Sequence, residues 1–133
     1  MSYRLALEVH SLPPCNVSRN QHWRSKVRDK KAWGVLLRQA MGRQRRPVHP
    51  LKIARLTLTR RSLRRPDFDN LVSSFKAILD ILQPRGKRNP MGLGVIANDT
   101  HEVIGVPEYI WEQALRGEGG VTILVEGADE EHI

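Results

Sequence analysis

The chain has 133 residues, with 22 Lys and Arg against 14 Asp and Glu, for a formal charge of +8 and a sequence pI of about 10.4. That length suits one ordinary domain around one core, and the charge favours a polyanionic partner, either nucleic acid or an acidic membrane surface. The single cysteine, Cys15, excludes an internal disulfide and a cysteine-paired zinc site, and no segment approaches the roughly 20 apolar residues of a membrane span.

No apolar run of signal-peptide length follows Met1, so a cytoplasmic protein is expected. Charge is polarised along the chain. Residues 1–66 hold 17 Lys and Arg against 2 Asp and Glu, whereas residues 67–133 hold 5 against 12. Residues 126–133 read as a flexible acidic tail. The acids further upstream require another account.

Tyr3 to Val9 alternates as a strand does, and Pro13-Pro14 opens a polar, basic loop through Asn20. From His22 to Met41 the period is helical, with Trp33, Leu36, Leu37, Ala40 and Met41 at three- and four-residue steps and Gly42 as the stop. Lys52 to Thr59 alternates apolar with polar and β-branched residues, which predicts a strand running into Arg60-Arg61-Ser62-Leu63-Arg64-Arg65-Pro66. A second helix is predicted from about Asp69 to Leu82, its apolar face formed by Leu71, Val72, Phe75, Ile78, Leu79 and Leu82.

Gln83 to Gly94, rich in Gly, Pro, Lys and Arg, is expected as a mobile surface loop, followed by a short strand at Val95-Ile96-Ala97. Asn98 to Thr100 reads as a turn, Glu102 to Val106 as a returning strand and Val121 to Val125 as a final strand, with Glu108 to Leu115 left open. The order of elements predicts a single α+β domain, two helices packed against a mixed sheet.

The segment that carries chemistry is Arg65-Pro66-Asp67-Phe68-Asp69-Asn70. On an extended chain, two carboxylates two residues apart project to one side, with Phe68 turned oppositely toward the core. Like charges at that distance repel, and a hard divalent cation with oxygen ligands is the natural relief. Taken alone, Asp69 is better read as a helix N-cap. Two further features change that balance. Asp69, Ser73, Lys76 and Asp80 form a polar stripe at steps of four, three and four, although Lys76–Asp80 also fits an ordinary i,i+4 pair. Gly94 to Asp99 is a short apolar run that delivers another carboxylate at a turn. Three carboxylates and a lysine in a basic chain suit metal-assisted phosphodiester hydrolysis.

In order and spacing, Asp67-Phe68-Asp69-Asn70-Leu71, the helix carrying Lys76 and Asp80, and Gly94-Val95-Ile96 ending at Asp99 resemble the RusA family of Holliday junction resolvases. The loop from Pro13 to Trp23 is similar to that family's N-terminal segment. The resemblance implies a RusA-like fold and a homodimer that nicks opposed strands of a four-way DNA junction, in recombination and repair in a bacterial or phage-infected cell. It implies Mg²⁺, or Mn²⁺, held by Asp67, Asp69 and Asp99, with those three and Lys76 catalytic. Asn98 stands where the family often has an Asp, and Lys76 lies seven residues after Asp69 where some members place it at four.

Arg60, Arg61, Arg64 and Arg65 precede the acidic pair and are expected to contact phosphate, as are Arg19, Arg24 and Lys26 near the first helix and Lys87 and Arg88 in the later loop. His10, His22, His49, His101 and His132 lack metal-ligand spacing. Trp111 is expected in the core. Two other readings compete. A restriction-type nuclease needs an Asp/Glu-x-Lys after Pro66-Asp67, and the only match, Asp29-Lys30-Lys31, lies upstream. A non-catalytic basic nucleic-acid-binding protein would explain the charge but not the clustered carboxylates.

Overall fold

The computed structural model describes residues 2–10 and 23–128, the side chains of residues 23–29 excepted. Strand β1 (Ser2–Val9) buries Tyr3, Leu5, Leu7 and Val9 and exposes Ser2, Arg4, Ala6 and Glu8, as strict alternation requires. Helix α1 (Trp23–Met41) follows, and then β2 (Ala54–Ser62), α2 (Phe68–Ser74), α3 (Lys76–Leu82), the single turn α4 (His101–Ile104), β3 (Glu108–Gln113) and β4 (Gly120–Ala128).

The four strands form one sheet in the order β1-β4-β2-β3, with β4 antiparallel to both neighbours and β2 parallel to β3. Because β1 and β2 both oppose β4, they run parallel to each other with β4 between them, a split β-α-β unit crossed by α1. The parallel β2–β3 pair is crossed by α2, α3 and α4. The architecture is therefore α+β with a mixed sheet, and no helix among the described residues is long and apolar enough to cross a membrane.

Leu5, Leu7, Leu56, Leu58, Ile123 and Val125 share one face of the sheet, and the buried residues of α1 (Trp33, Leu37, Met41), α2 (Leu71) and α3 (Ile78, Ile81, Leu82) complete the core with them. Trp33, Leu37 and Met41 recur every four residues, which is why α1 forms here and which side it buries. Gly42, at φ +53°, ends the helix by returning its N–H to the Arg38 carbonyl at 3.2 Å.

Several expectations are corrected. The predicted helix from Asp69 to Leu82 is two helices broken at Phe75. Ser73 and Ser74 turn their hydroxyls back on the carbonyls of Asp69 (2.6 Å) and Leu71 (2.7 Å), while the Phe75 N–H bonds three residues back to Val72 at 3.1 Å. Hydroxyls that compete for helix carbonyls, with a tightened turn, interrupt the regular ladder. The returning strand expected at Glu102–Val106 is instead α4, which buries Ile104 and then stops at Gly105. Among the described residues, Val95–Ala97 makes a single bridge, Ile96 beside Leu51, with Leu51 N–H to Val95 O at 2.8 Å and Ala97 N–H to Leu51 O at 2.9 Å. Glu126, Gly127 and Ala128, assigned to the acidic tail, are strand residues paired with β1.

The segment 83–94 is tied down rather than loose. Leu93 N–H bonds to Ile81 O (2.7 Å), Val95 N–H to Leu82 O (2.8 Å) and Gly94 N–H to Gln83 O (3.0 Å), supplying partners for carbonyls at the end of α3 that the helix leaves free. The approach is close enough that a Cβ on Gly92 would lie 2.6 Å from the Gln83 carbonyl oxygen. The predicted loop at Pro13–Asn20 with Cys15 and Arg19, His22 and His132, and the last five residues of the tail lie outside the described residues.

Candidate active site at the end of β2

Alternation in β2 divides the arginine run between two faces of the sheet. Arg60 follows Leu56 and Leu58 on the helix-covered side, beside Val121 and Trp111, and its Nε is buried without a hydrogen-bond partner among the described residues. Arg61 lies on the opposite face, where Nη1 donates to Thr122 Oγ1 at 2.7 Å, and the Thr122 hydroxyl donates to Glu8 at 3.5 Å. Beyond the strand, the Trp111 indole donates to Ser62 Oγ at 2.9 Å, and that hydroxyl donates to the Arg64 carbonyl at 2.8 Å. Arg65 sits over the Trp111 ring, 5.7 Å from its centroid. These contacts fix the connection that leads to the acidic pair. Trp111 is accordingly half-buried and works as a bracket, not as a fully enclosed core residue.

Asp67 occupies the N-cap of α2, in extended backbone, and its carbonyl accepts the first helical bond from Leu71 at 2.9 Å. Its carboxylate makes no capping bond to the helix backbone. Instead Oδ1 accepts the Asn70 side-chain amide at 3.0 Å. Asp69 lies in the first turn, so the N-cap role expected for it falls to its neighbour. Both carboxylates are exposed, and neither forms an ion pair among the described residues. Both anions lie at the positive end of a helix, with arginines shortly before them in the chain.

Asp99 comes to the sheet from the other end. It follows the Val95–Ala97 segment, which runs beside Leu51 ahead of β2, whereas Asp67 leaves beyond the C-terminal end of that strand. The Asn98 side chain is engaged in shaping the turn, with Oδ1 accepting the Asp99 backbone N–H at 2.8 Å. Asp99 is exposed, as is His101 at the start of α4. Among the described residues, no group of three or more His, Cys, Asp or Glu side chains is arranged to hold a metal ion. The chain is helical from Phe68, so the projection of Asp67 and Asp69 to one side that an extended segment would give does not apply; Asp67 stands at the N-cap and Asp69 in the first turn, and Asp99 does not complete a three-ligand group with them.

The polar stripe is divided by the break at Phe75. Lys76 is the exposed first residue of α3, and Asp80 pairs with Lys30 of α1 at 3.8 Å instead of with Lys76. Lys87 and Arg88 are exposed at the tip of a turn closed by reciprocal backbone bonds between Gly86 and Asn89 of 3.1 and 3.0 Å. The side chains of Arg24 and Lys26 lie outside the described residues, and their backbone is in α1.

Phe68 is the residue most misjudged from sequence. It was expected to face the core, yet it is 66% exposed. The chain is already helical at Phe68, so the alternation of an extended segment does not apply there. Its ring meets Tyr109 of β3 edge-on, with centroids 6.2 Å apart and planes at 83°. Tyr109 in turn packs on the fully buried Phe75 at 6.0 Å, and burial pushes its phenol pKa up. The available signal was Tyr109 and Trp111 at i and i+2, which a strand places on one face; the sequence left that segment open.

The exposed oxygen donors of Asp67 and Asp69 fit a hard divalent cation. Mg²⁺ is commonly held by one or two carboxylates while it keeps several waters and binds substrate phosphates, so it does not need a closed protein cage. The chain matches no protein-family model and no curated protein.

Proposed function

We propose that this protein is a Mg²⁺-dependent endodeoxyribonuclease, active also with Mn²⁺, that resolves four-way DNA junctions as a cytoplasmic homodimer. The observation that carries the reading is the exposed pair Asp67, at the N-cap of α2, and Asp69, in its first turn, unpaired by any described protein cation and preceded in the chain by Arg64 and Arg65. Two exposed carboxylates close in the chain, without a described protein cation, suit a divalent ion as their counter-charge. The RusA-like order of Asp67, Asp69, Lys76 and Asp99 supports the same conclusion.

Asp67 and Asp69 would hold the ion, with Asp99 as the third residue the resemblance assigns. The chemistry a bound Mg²⁺ supplies is neutralisation of phosphate charge and activation of water. Arg64 and Arg65 attract the DNA backbone, and Asn70 holds the Asp67 carboxylate in one orientation. Lys76, at the start of α3, places a cation one helix further along the same segment, where it can stabilise phosphate oxygens. Two opposed cuts need two sites related by a dyad, which an isologous dimer provides.

A second reading, a non-catalytic nucleic-acid-binding protein, is favoured by one observation: no three-ligand group exists among the described residues. A single assay separates the two. An end-labelled synthetic four-way junction is incubated with and without Mg²⁺, beside a matched linear duplex and the Asp69→Asn variant. Paired symmetrical nicks that require Mg²⁺ and are lost in the variant establish the resolvase. Binding without cutting in either Mg²⁺ or Mn²⁺ establishes the binder.

A further inference from the structure

We propose that Phe68, between Asp67 and Asp69 in the chain, is a stacking platform for an unpaired nucleobase, so that a branched DNA strand is held by a base that intact duplex does not offer. The proposal rests on the nucleic-acid reading above and adds to it the means of structural selectivity.

Burying a Phe side chain stabilises a fold, so a ring left in water at a helix start is a contribution the fold forgoes. Phe68 is 66% exposed even though the apolar side of its own helix is available to it, since Leu71, three residues on, is buried. The ring is also braced. A T-shaped contact with Tyr109 holds it at 6.2 Å, and Tyr109 is backed by the core residue Phe75. An edge-on contact restrains an aromatic ring while leaving ring surface uncovered, the condition a base-stacking residue requires.

The surroundings select the ligand. Phosphate is repelled by Asp67 and Asp69 unless a cation intervenes, but the face of a base is neutral and can lie on a ring that neighbours them in the chain. Cations for the adjoining backbone stand close by in the chain: Arg64 is exposed, and Arg65 is fixed over Trp111. A braced aromatic ring next to cations is how proteins hold single-stranded segments, each stacked base contributing about 1–3 kcal/mol with little sequence preference. In intact duplex both faces of every base are already stacked, so the ring has no partner there. At a branch point a base can leave the stack and meet it.

The test is a cycle that removes the ring and the base in turn. Fluorescein-labelled, non-migrating four-way junctions are prepared with normal or with abasic nucleotides at the branch point, together with a linear duplex, and binding is followed by anisotropy in Ca²⁺ to prevent cutting. Phe68→Ala and Phe68→Leu are expected to weaken binding to the normal junction about tenfold and to leave abasic-junction and duplex binding unchanged, while Phe68→Trp retains wild-type preference. Circular dichroism checks that the variants fold. Equal losses on normal and abasic junctions, or no loss on either, overturn the platform. So does conversion of a dimer to a monomer by Phe68→Ala in sedimentation, which would assign the ring to a protein interface. If the cycle holds but wild-type protein never cuts in Mg²⁺, the platform stands and the nuclease falls. Normal cutting with no effect of Phe68 gives the reverse.

Discussion

The side-chain amide of Asn89 donates to the backbone carbonyl of Asp80 at 2.7 Å and reaches the Pro84 carbonyl at 3.1 Å, tying a basic turn to the last turn of α3. Lys87 and Arg88 are thereby presented on ordered backbone, so less conformational entropy is lost when they meet phosphate. Asn89→Ala removes both bonds, along with an amide oxygen that is buried and has no partner among the described residues. A net loss of about 1–2 kcal/mol is expected, read from urea unfolding with an unchanged m-value. A stability equal to wild type would show that the amide bonds do not hold the turn.

Gly92 tests the same tether from the backbone side. An added Cβ would lie 2.6 Å from Gln83 O and 2.7 Å from Arg85 N, and these are main-chain atoms that cannot rotate away. Gly92→Ala is expected to cost about 1–3 kcal/mol, more than the about 0.5 kcal/mol typical of exposed positions. Thermal unfolding of this variant beside Gly86→Ala, where nothing lies within 4 Å of the added Cβ, provides the comparison.

The division of the arginines predicts unequal roles. Arg65 shares the side of the acidic pair through Trp111, whereas Arg61 is turned to the other face and bound to Thr122. Arg65→Gln is expected to reduce the slope of log binding constant against log salt by about one. Arg61→Gln should leave that slope at the wild-type value. Equal slopes for both variants would mean that DNA lies across both faces.

Asp69→Asn removes one of two adjacent like charges without disturbing the Asn70–Asp67 bond. Stability is therefore expected to stay within about 0.5 kcal/mol of wild type, with DNA binding retained or tightened and Mg²⁺-dependent cutting abolished. Lys76→Met should also lose cutting while keeping binding. Cutting that survives either change would remove that residue from the active site.

Asp80 is the control among the acids. Its partner Lys30 lies 3.8 Å away on α1, with both side chains partly exposed. Such pairs contribute about 0–1 kcal/mol. Asp80→Asn is thus expected to fold, bind and cut as wild type does, whereas loss of cutting would place Asp80 in the catalytic group.

Local periodicity was enough to recognise β1, α1, β2 and β4, because the rules that share residues between faces operate over a few positions. Leu5 and Leu7 alternate, Trp33 and Leu37 are one turn apart, and no distant contact is needed to see either. The prominence of Asp67 and Asp69 was legible for the same reason: two carboxylates two residues apart are a local fact. The break at Phe75 was not legible. Leu71, Phe75, Ile78 and Leu82 keep a helical period straight through it, and the interruption comes from hydroxyls of Ser73 and Ser74 choosing carbonyls.

What the sequence by itself determined is therefore the α+β class, the two faces of the strands and the acidic pair at the start of a helix. Only the tertiary structure decided that Asp80 pairs with Lys30, that residues 83–94 are held against α3, and that Phe68 stands in solvent against Tyr109. Each of these depends on residues brought together from distant parts of the chain or on the phase at which a helix begins. A shift of one residue in that phase redirects a side chain by about 100°, which no count of apolar spacing can fix in advance.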